Sequence, residues 1–291
     1  MTVTTIQGVE LREARPDDAA ECGRIMFEAF AAIADAHCFP HDFPSVEAAT
    51  GLANVLISHP GFYGVVAESE GRIVGSNFLD ERSAIAGIGP ITIDPVAQNR
   101  QVGRKLMDAV IERSREKGFP GARLLQVAYH HRSLSLYAKL GFEIREPCVA
   151  LQGPPIGAQI PGRAVRSATE DDLAACNRVS FQVHGHDRSG EVLDAIRQGS
   201  AQVVEHDGRI TGYCTGMAYF AHAVGESNED LKALIGAATE FGGPGILLPA
   251  RNGELFRWCL ERGLRVVQMM TLMTLGLYNE PNGAYLPCIL Y

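Results

Sequence analysis

The sequence lacks any paired-cysteine pattern. Its seven cysteines are scattered over 291 residues, and none stands in a Cys-x-x-Cys pair. This scatter is typical of reduced thiols in a cytosol, and it excludes a disulfide framework or a zinc ribbon. We therefore expect a cytoplasmic protein.

A long apolar run, a leader and a basic surplus are also missing. No uncharged apolar stretch reaches the roughly 18 residues that a membrane-spanning helix needs, and segment 1–10 has no feature of a secretory signal. Lys and Arg number 26 against 34 Asp and Glu, for a formal net charge of −8. Surfaces that bind nucleic acid normally carry a basic excess. Neither nucleic acid nor a membrane is therefore an expected partner, and the acidic balance favours a cationic or neutral small molecule.

The composition is that of a folded globular chain. Apolar residues make up 46% and charged residues 21%, which excludes disorder as the main state. The length suits one large domain or two of about 145 residues each. Residues 153–162 hold three prolines, three glycines and no charge, so they neither continue a helix nor supply many strand hydrogen bonds. We predict domains at 1–152 and 163–291, joined by a linker at 153–162.

The two predicted domains repeat the same order of features. Each opens with a short strand and an acidic helix start, continues with a tight hairpin, and later stops a helix at a glycine that precedes a strand. These features fall at 11–19, 65–75 and 139–143 in the first half, and at 165–173, 203–212 and 261–265 in the second. The order predicts a duplication of two domains of the α/β class, each with a mixed sheet.

The most informative segment of the first half is 89–107. Residues 91–93 predict a short strand, and apolar residues recur at helical spacing from Gly103 onward. The loop between them carries Arg100 into a helix N-terminus that also bears Arg104 and Lys105. Unpaired backbone N–H groups and the positive end of the helix dipole attract an anion at such a place. The segment predicts a phosphate or pyrophosphate site, with a plain strand–helix turn as the alternative.

Two blocks of the first half resemble the GNAT family of acetyl-CoA-dependent N-acyltransferases. The first is Pro95 followed by the loop Gln98-Asn99-Arg100-Gln101-Val102-Gly103 that opens a helix. After a predicted strand at 121–131, the second block is Leu136-Tyr137-Ala138-Lys139-Leu140-Gly141-Phe142. Their order and spacing together make the resemblance specific over about residues 60–145. It implies two GNAT-like acyl-CoA N-acyltransferase domains in tandem.

The resemblance also implies a site for acetyl-CoA as cosubstrate, without a metal. The coenzyme's pyrophosphate would lie on the loop backbone, and its pantetheine would pair with strand 91–93 as a pseudo-strand. An amine would attack the thioester directly, a backbone N–H near Ile91 would stabilise the oxyanion, and Tyr137 would be the general acid. The residues implied to bind the coenzyme are Ile91, Thr92, Ile93, Gln98, Arg100, Gln101, Val102, Gly103, Arg104, Lys105, His130, Ser133 and Tyr137.

Two positions depart from the family's pattern. Gln101 stands where the first glycine of the loop is usual, and His130 stands where an asparagine is frequent. No motif identifies a general base: Asp94 ends a predicted strand, but a turn-forming role before Pro95 is favoured.

The acceptor side is expected in the helix–loop–helix near the start of the chain. The residues that line it in the family would here be Glu28, His37, His41 and Asp42. His37, Cys38 and His41 have no second ligand pair at metal-binding spacing, so we expect no metal there.

The second half lacks these features. Cys259 stands where Tyr137 stands when the halves are aligned at Gly263, and loop 225–232 carries three acids that would repel a pyrophosphate. We expect a degenerate GNAT-like domain that is catalytically silent.

The function that the sequence predicts is transfer of an acetyl group to a primary amine of a small cationic acceptor. The alternative is a non-catalytic acyl-CoA-binding sensor or interaction protein, for which Gln101 is the motive. The acceptor, the acyl length and homodimer formation stay open.

Overall fold

The computed structural model describes residues 8–98 and 101–290. Within them the chain forms two compact units. The first comprises residues 8–81, 85–98, 101–123 and 129–142, and the second comprises 82–84, 124–128 and 143–290. Each unit has its own strands, helices and apolar core.

The first unit contains four helices and a mixed set of strands. The helices are α1 (Ala19–His37), α2 (Val46–Ser58), α3 (Val102–Glu116) and α4 (His131–Lys139). The strands are β1 (Glu10–Glu13), β2 (Phe62–Ser69), β3 (Arg72–Asp80), β4 (Ala86–Ile88), β5 (Thr92–Ile93) and β6 (Gly121–Val127), of which residues 121–123 belong to this unit. Strands β1 to β4 pair as antiparallel neighbours, β4 runs parallel to β6, and β5 pairs with β3.

The core of the first unit lies between α1, α2 and strands β2 and β3. Apolar residues recur at spacings of three and four along both helices, so each helix turns one face to the sheet. The buried residues are Cys22, Met26, Ala49, Ala53, Leu56, Val66 and Phe78.

The second unit repeats the helix count. Its helices are α5 (Leu173–His184), α6 (Ser189–Arg197), α7 (Asn228–Ala237) and α8 (Gly253–Glu261). Its strands are β7 (Glu143–Gln152), β8 (Ala164–Ser167), β9 (Gln202–His206), β10 (Arg209–Cys214), β11 (Ala223–Gly225), β12 (Ile246–Pro249), β13 (Arg265–Gly276) and β14 (Ala284–Leu286). Five strands form a sheet in the order β14-β11-β10-β9-β8, and β7 pairs antiparallel with both β12 and β13.

A bidentate arginine marks the same point of both units. The guanidinium of Arg12 in β1 donates to both oxygens of Asp18, at 2.7 and 2.9 Å, and to Glu68 at 2.6 Å. The second unit makes the matching contacts with Arg166, Asp172 and Glu205. The predicted duplication is therefore preserved down to individual side chains.

The predicted linker and the division into units do not begin at the same residue. Residues 153–162 lie between β7 and β8, and β7 itself makes its strand pairs inside the second unit. The limits 1–152 and 163–291 stay a prediction. No helix of the described residues is both long and apolar enough to cross a bilayer. All seven cysteines are free thiols, and only Cys38 is exposed.

Candidate active site

Strand β3 changes partner along its length, and this leaves one edge of β5 open. Leu79 of β3 is opposite Ile88 of β4, whereas Ser76 is opposite Thr92 of β5. Strand β4 also pairs with β6, whereas β5 has β3 as its only strand partner among the described residues. Thr92 is buried, with its Oγ1 3.2 Å from Oγ of Ser76. The other edge of β5 therefore offers backbone hydrogen-bonding groups to an extended ligand.

The N-terminus of α3 follows this open edge. Gln101, the N-cap, has φ of 63°, in the left-handed region, and its side chain makes no capping hydrogen bond. The first turn contains no acid. The backbone N–H groups of Val102, Gly103 and Arg104 have no acceptor within the helix, because the first four of any α-helix lack one. The positive end of the helix is thus available to an anion. Arg100 lies outside the described residues.

The basic side chains of this turn point to different partners. The guanidinium of Arg104 is exposed and stands 3.6 Å from Asp108 one turn on. Lys105 donates from Nζ to the carbonyl of Val9 at 3.1 Å, so its ammonium is engaged at the start of β1. Arg132 donates to Oε1 of Gln98 at 3.2 Å, which brings the first turn of α4 beside the loop. The sequence did not single out Arg132, since no motif marks it.

Gly103 joins three elements at this point. A Cβ on Gly103 would stand 3.1 Å from Cδ1 of Ile93 and 3.6 Å from Cδ2 of Leu136. Strand β5, the start of α3 and α4 therefore converge at Gly103, with room for a methyl group only if a neighbouring side chain moves slightly. Ile91 and Ile93 are each partly exposed beside this junction.

Three of the predicted residues share one face of α4. His130, Ser133 and Tyr137 recur at spacings of three and four, which place them along the same side of a helix. Ser133 donates from Oγ to the carbonyl of His130 at 2.9 Å and also hydrogen bonds to the hydroxyl of Tyr137. Tyr137 is buried, and burial raises its pKa well above the usual value, so the phenol stays protonated.

The predicted strand at 121–131 is too long. Strand β6 ends at Val127, and residues 128–130 form a turn that leads into α4. The turn contains Tyr129. The predicted strand included this residue and gave no sign that it lies in the site. Phe39 stacks on Tyr129 with ring centroids 4.3 Å apart, and His37 lies at 5.0 Å. Burial raises the pKa of Tyr129 to about 12, and the negative charge of Asp42 adds to the shift. The segment after α1 is therefore held against Tyr129.

Asp94 is engaged as a turn and ion-pair residue. Its Oδ1 accepts from the backbone N–H of Val96 at 3.0 Å, and its Oδ2 lies 3.1 Å from Nη2 of Arg24. Arg24 also pairs with Glu21 and Glu28 on α1. His41 pairs with Asp35 at 2.7 Å. No group of three or more His, Cys, Asp or Glu within residues 8–98 and 101–290 is arranged to hold a metal ion.

The corresponding places of the second unit are closed. The N-terminus of α7 is capped by its own Asp230, whose carboxylate accepts from the backbone N–H of Ser227 at 2.9 Å and from Arg163 at 2.9 Å. Strand β11 pairs with β10 on one side and with β14 on the other. Cys259, at the position of Tyr137, is fully buried, and burial raises its pKa to about 12. At these three described positions, the helix N-terminus is capped, the strand edge is paired and a buried thiol stands in place of the phenol.

The comparison with protein families matches the first half. Residues 28–142 fit the model of the acetyltransferase (GNAT) family. The chain carries a GNAT-family domain. The family predicted for the first half is therefore confirmed over these residues. A comparison with curated proteins found no match.

Solved structures resemble the whole chain. One is a putative acetyltransferase from Pyrococcus horikoshii, 18% identical, with a TM-score of 0.74 over 96% of this chain and 94% of that one. Another is a GCN5-related N-acetyltransferase from Sphaerobacter thermophilus, 14% identical, with a TM-score of 0.61 over 95% and 98%. A third is a tandem GNAT protein from the clavulanic acid biosynthesis pathway, 14% identical, with a TM-score of 0.59 over 92% and 98%. The fold predicted for the entire chain, two GNAT-like domains in tandem, is thereby confirmed.

Proposed function

We propose that the GNAT domain transfers an acetyl group from acetyl-CoA to a primary amine of a small cationic acceptor by direct attack. The observation that carries the proposal is the junction of β5, α3 and α4. There an open strand edge and an uncapped helix N-terminus meet, at Gly103, the helix that carries a protonated tyrosine.

The residues present fit the coenzyme. The N–H groups of Gln101, Val102, Gly103 and Arg104 would hold the pyrophosphate, and the missing Cβ of Gly103 keeps the approach to β5 open. The predicted set also includes Arg100, which is outside the described residues, and Lys105, whose ammonium is engaged by Val9. The backbone of residues 91–93 would pair with the pantetheine. Gln98, His130 and Ser133 complete the proposed contacts at the loop and at α4.

The bound thioester supplies an activated acetyl carbonyl and a thiolate leaving group. Tyr137 is proposed to donate a hydrogen bond, and then a proton, at its hydroxyl to the sulfur that leaves. Its raised pKa keeps the phenol protonated at neutral pH. The hydrogen bond with Ser133 holds the phenol oxygen in position. A backbone N–H near Ile91 is proposed to stabilise the oxyanion.

The acceptor side of the domain is rich in acids and aromatic rings. Helix α1 and the segment after it carry Glu21, Glu28, Asp35 and Asp42, and Tyr129 is half-buried beside them. Such a surface attracts a cation and repels an anionic acceptor. This pattern supports a small cationic amine over an acidic substrate.

The rival reading is a non-catalytic acyl-CoA-binding sensor, which the sequence suggested because Gln101 replaces a glycine. Gln101 nonetheless adopts the left-handed conformation that a glycine would adopt. The direction of the following N–H groups is therefore kept, which removes the reason to suspect a sensor, and the presence of Tyr137 supports the enzyme.

Calorimetric titration with acetyl-CoA tests the coenzyme site. We expect binding by the wild-type protein and its loss in an Arg100→Glu/Arg104→Glu variant, because two added carboxylates repel the pyrophosphate. Arg115→Glu is the matched control, since Arg115 is an exposed arginine of the same helix that pairs with Glu112 at 3.4 Å. Turnover with a panel of primary amines then separates the enzyme from the sensor. Binding without any turnover supports the sensor, and equal binding by all three proteins contradicts the proposed site.

A further inference from the structure

His130 is a partly buried histidine at the start of α4 that the proposed mechanism has not yet used as an acid or a base. His130 is the N-cap of α4, directly after the turn that ends β6. Its carbonyl accepts from Ser133 and from the backbone N–H of Leu134. Its imidazole has no hydrogen-bond partner among the described residues, although the residue is partly buried. Both ring nitrogens are thus free to meet a ligand.

His130 also shares a helix face with Tyr137. One residue stands at the start of α4 and the other two turns further on, with Ser133 between them. The same helix packs against the start of α3 through Leu136 and Gly103. A ligand that contacts the Tyr137 hydroxyl along this face therefore extends toward the imidazole.

We propose that His130 is the general base that deprotonates the acceptor ammonium. This inference rests on the function proposed above. A ring nitrogen takes one proton from the ammonium, and the amine lone pair then forms the N–C bond to the acetyl carbonyl. When the C–S bond breaks, its electron pair leaves with sulfur, which gains a proton from Tyr137. Tyr137 regains the second nitrogen proton, and the imidazolium releases its own to water.

The groups around the ring keep it neutral. Arg132 and His131 of α4 and His37 at the end of α1 are the charged or titratable neighbours, with Tyr129 preceding it in the turn. Burial and then the charges of Arg132, His37 and His131 lower the pKa of His130 below 6.5. The positive end of the α4 dipole also lowers the pKa of His130. A neutral imidazole can accept a proton, and a pair of groups with oppositely shifted pKa values is the usual signature of an acid and a base.

The test is the pH dependence of kcat/KM with the best amine of the panel. We expect an acidic limb with an apparent pKa below 6.5 in the wild type. In His130→Gln that limb should vanish and kcat/KM should fall about 100-fold or more, by far more than the Kd for acetyl-CoA rises. Free imidazole should restore part of the rate in His130→Gly, which a purely structural role would not allow. His131→Gln, an exposed neighbour on the same helix, should keep the rate and the limb.

Three results would overturn the inference, and they are distinguishable. If His130→Gln keeps the rate and the acidic limb, the base is another group and the proposed function stands. If it loses acetyl-CoA binding instead, His130 is a coenzyme ligand only. If the wild type binds acetyl-CoA but acetylates no amine, the proposed function itself fails.

Discussion

Gly103 and Ile93 stand so close that their contact fixes the distance between α3 and β5. A Cβ on Gly103 would lie 3.1 Å from Cδ1 of Ile93. The atom met is the end of a flexible side chain, so a small displacement can admit a methyl group but not a branched side chain. The space beside this contact is where the proposed pyrophosphate and pantetheine sites join.

Substitution of Gly103 should therefore depend on size. For Gly103→Ala we expect stability within about 1 kcal/mol of wild type, since the gain in helix propensity offsets the tighter contact. Acetyl-CoA binding should persist. Gly103→Val should raise the Kd by about tenfold or more, equivalent to about 1.4 kcal/mol. Calorimetry and thermal unfolding check both variants, and equal binding by Ala and Val would contradict the proposed site.

Replacement of Gln101 by glycine, the residue usual at this position of the family, should stabilise the protein. Its φ of 63° costs an ordinary residue about 1–2 kcal/mol, whereas glycine adopts this conformation freely. We expect Gln101→Gly to be as stable as wild type or more stable by up to about 1 kcal/mol, and Gln101→Val to be less stable. Urea unfolding measures the difference. Gln101→Ala is the control, because it removes the side chain and keeps the backbone strain. A higher free energy of unfolding in Gln101→Ala would mean that the glutamine side chain, and not the backbone conformation, is the cause.

Tyr137→Phe should separate chemistry from coenzyme binding. The variant keeps the ring, which lies 6.2 Å from that of Phe142, and removes only the hydroxyl. We expect kcat/KM to fall about 100-fold with the Kd for acetyl-CoA unchanged. The wild-type pH profile should show no basic limb from Tyr137 below pH 10, because burial raises its pKa. Ser133→Ala should cause a smaller loss, since it only frees the hydroxyl to rotate. A wild-type kcat/KM in Tyr137→Phe would exclude Tyr137 as the general acid.

The second unit should lose stability on mild acidification. Buried His222 contacts Glu191 through Nδ1 at 3.1 Å and Tyr213 through Nε2 at 3.3 Å. Burial and the charge of Arg188 lower the pKa of His222 to about 4. The unfolded chain takes up a proton below about pH 6.5 while the folded chain does not, so the free energy of unfolding falls as pH drops from 6.5 toward 4. At pH about 5.5 the loss is about 1.4 kcal/mol.

Urea unfolding near pH 7.5 and near pH 5.5 measures this effect. His222→Gln removes the titrating ring, so the difference between the two pH values should shrink. Exposed His131→Gln should leave it unchanged. Glu191 does not interfere, because its pKa lies well below the usual value and it remains ionised over this range. An unchanged difference in His222→Gln would assign the pH dependence to other groups.

Local patterns predicted much of the fold. The helix ends predicted at Gly141 and Gly263 are confirmed, since both glycines follow a helix and have φ of 95°. The hairpins were also predicted, because turn residues and strand alternation are local signals. The end of β6 was not, because residues 128–130 are as apolar and aromatic as a strand, and no local pattern shows that Tyr129 stacks on the distant Phe39.

The family of the first half, the duplication and the loss of the loop motif in the second could be predicted from the sequence. Each of these depends on residue types at fixed spacing along the chain. Three features became known from the folded chain: which edge of β5 is open, that β14 closes the matching edge of β11, and that Tyr129 contacts the segment after α1. Those features arise from contacts between residues far apart in sequence, where strand pairing and burial, and no local preference, select the partner.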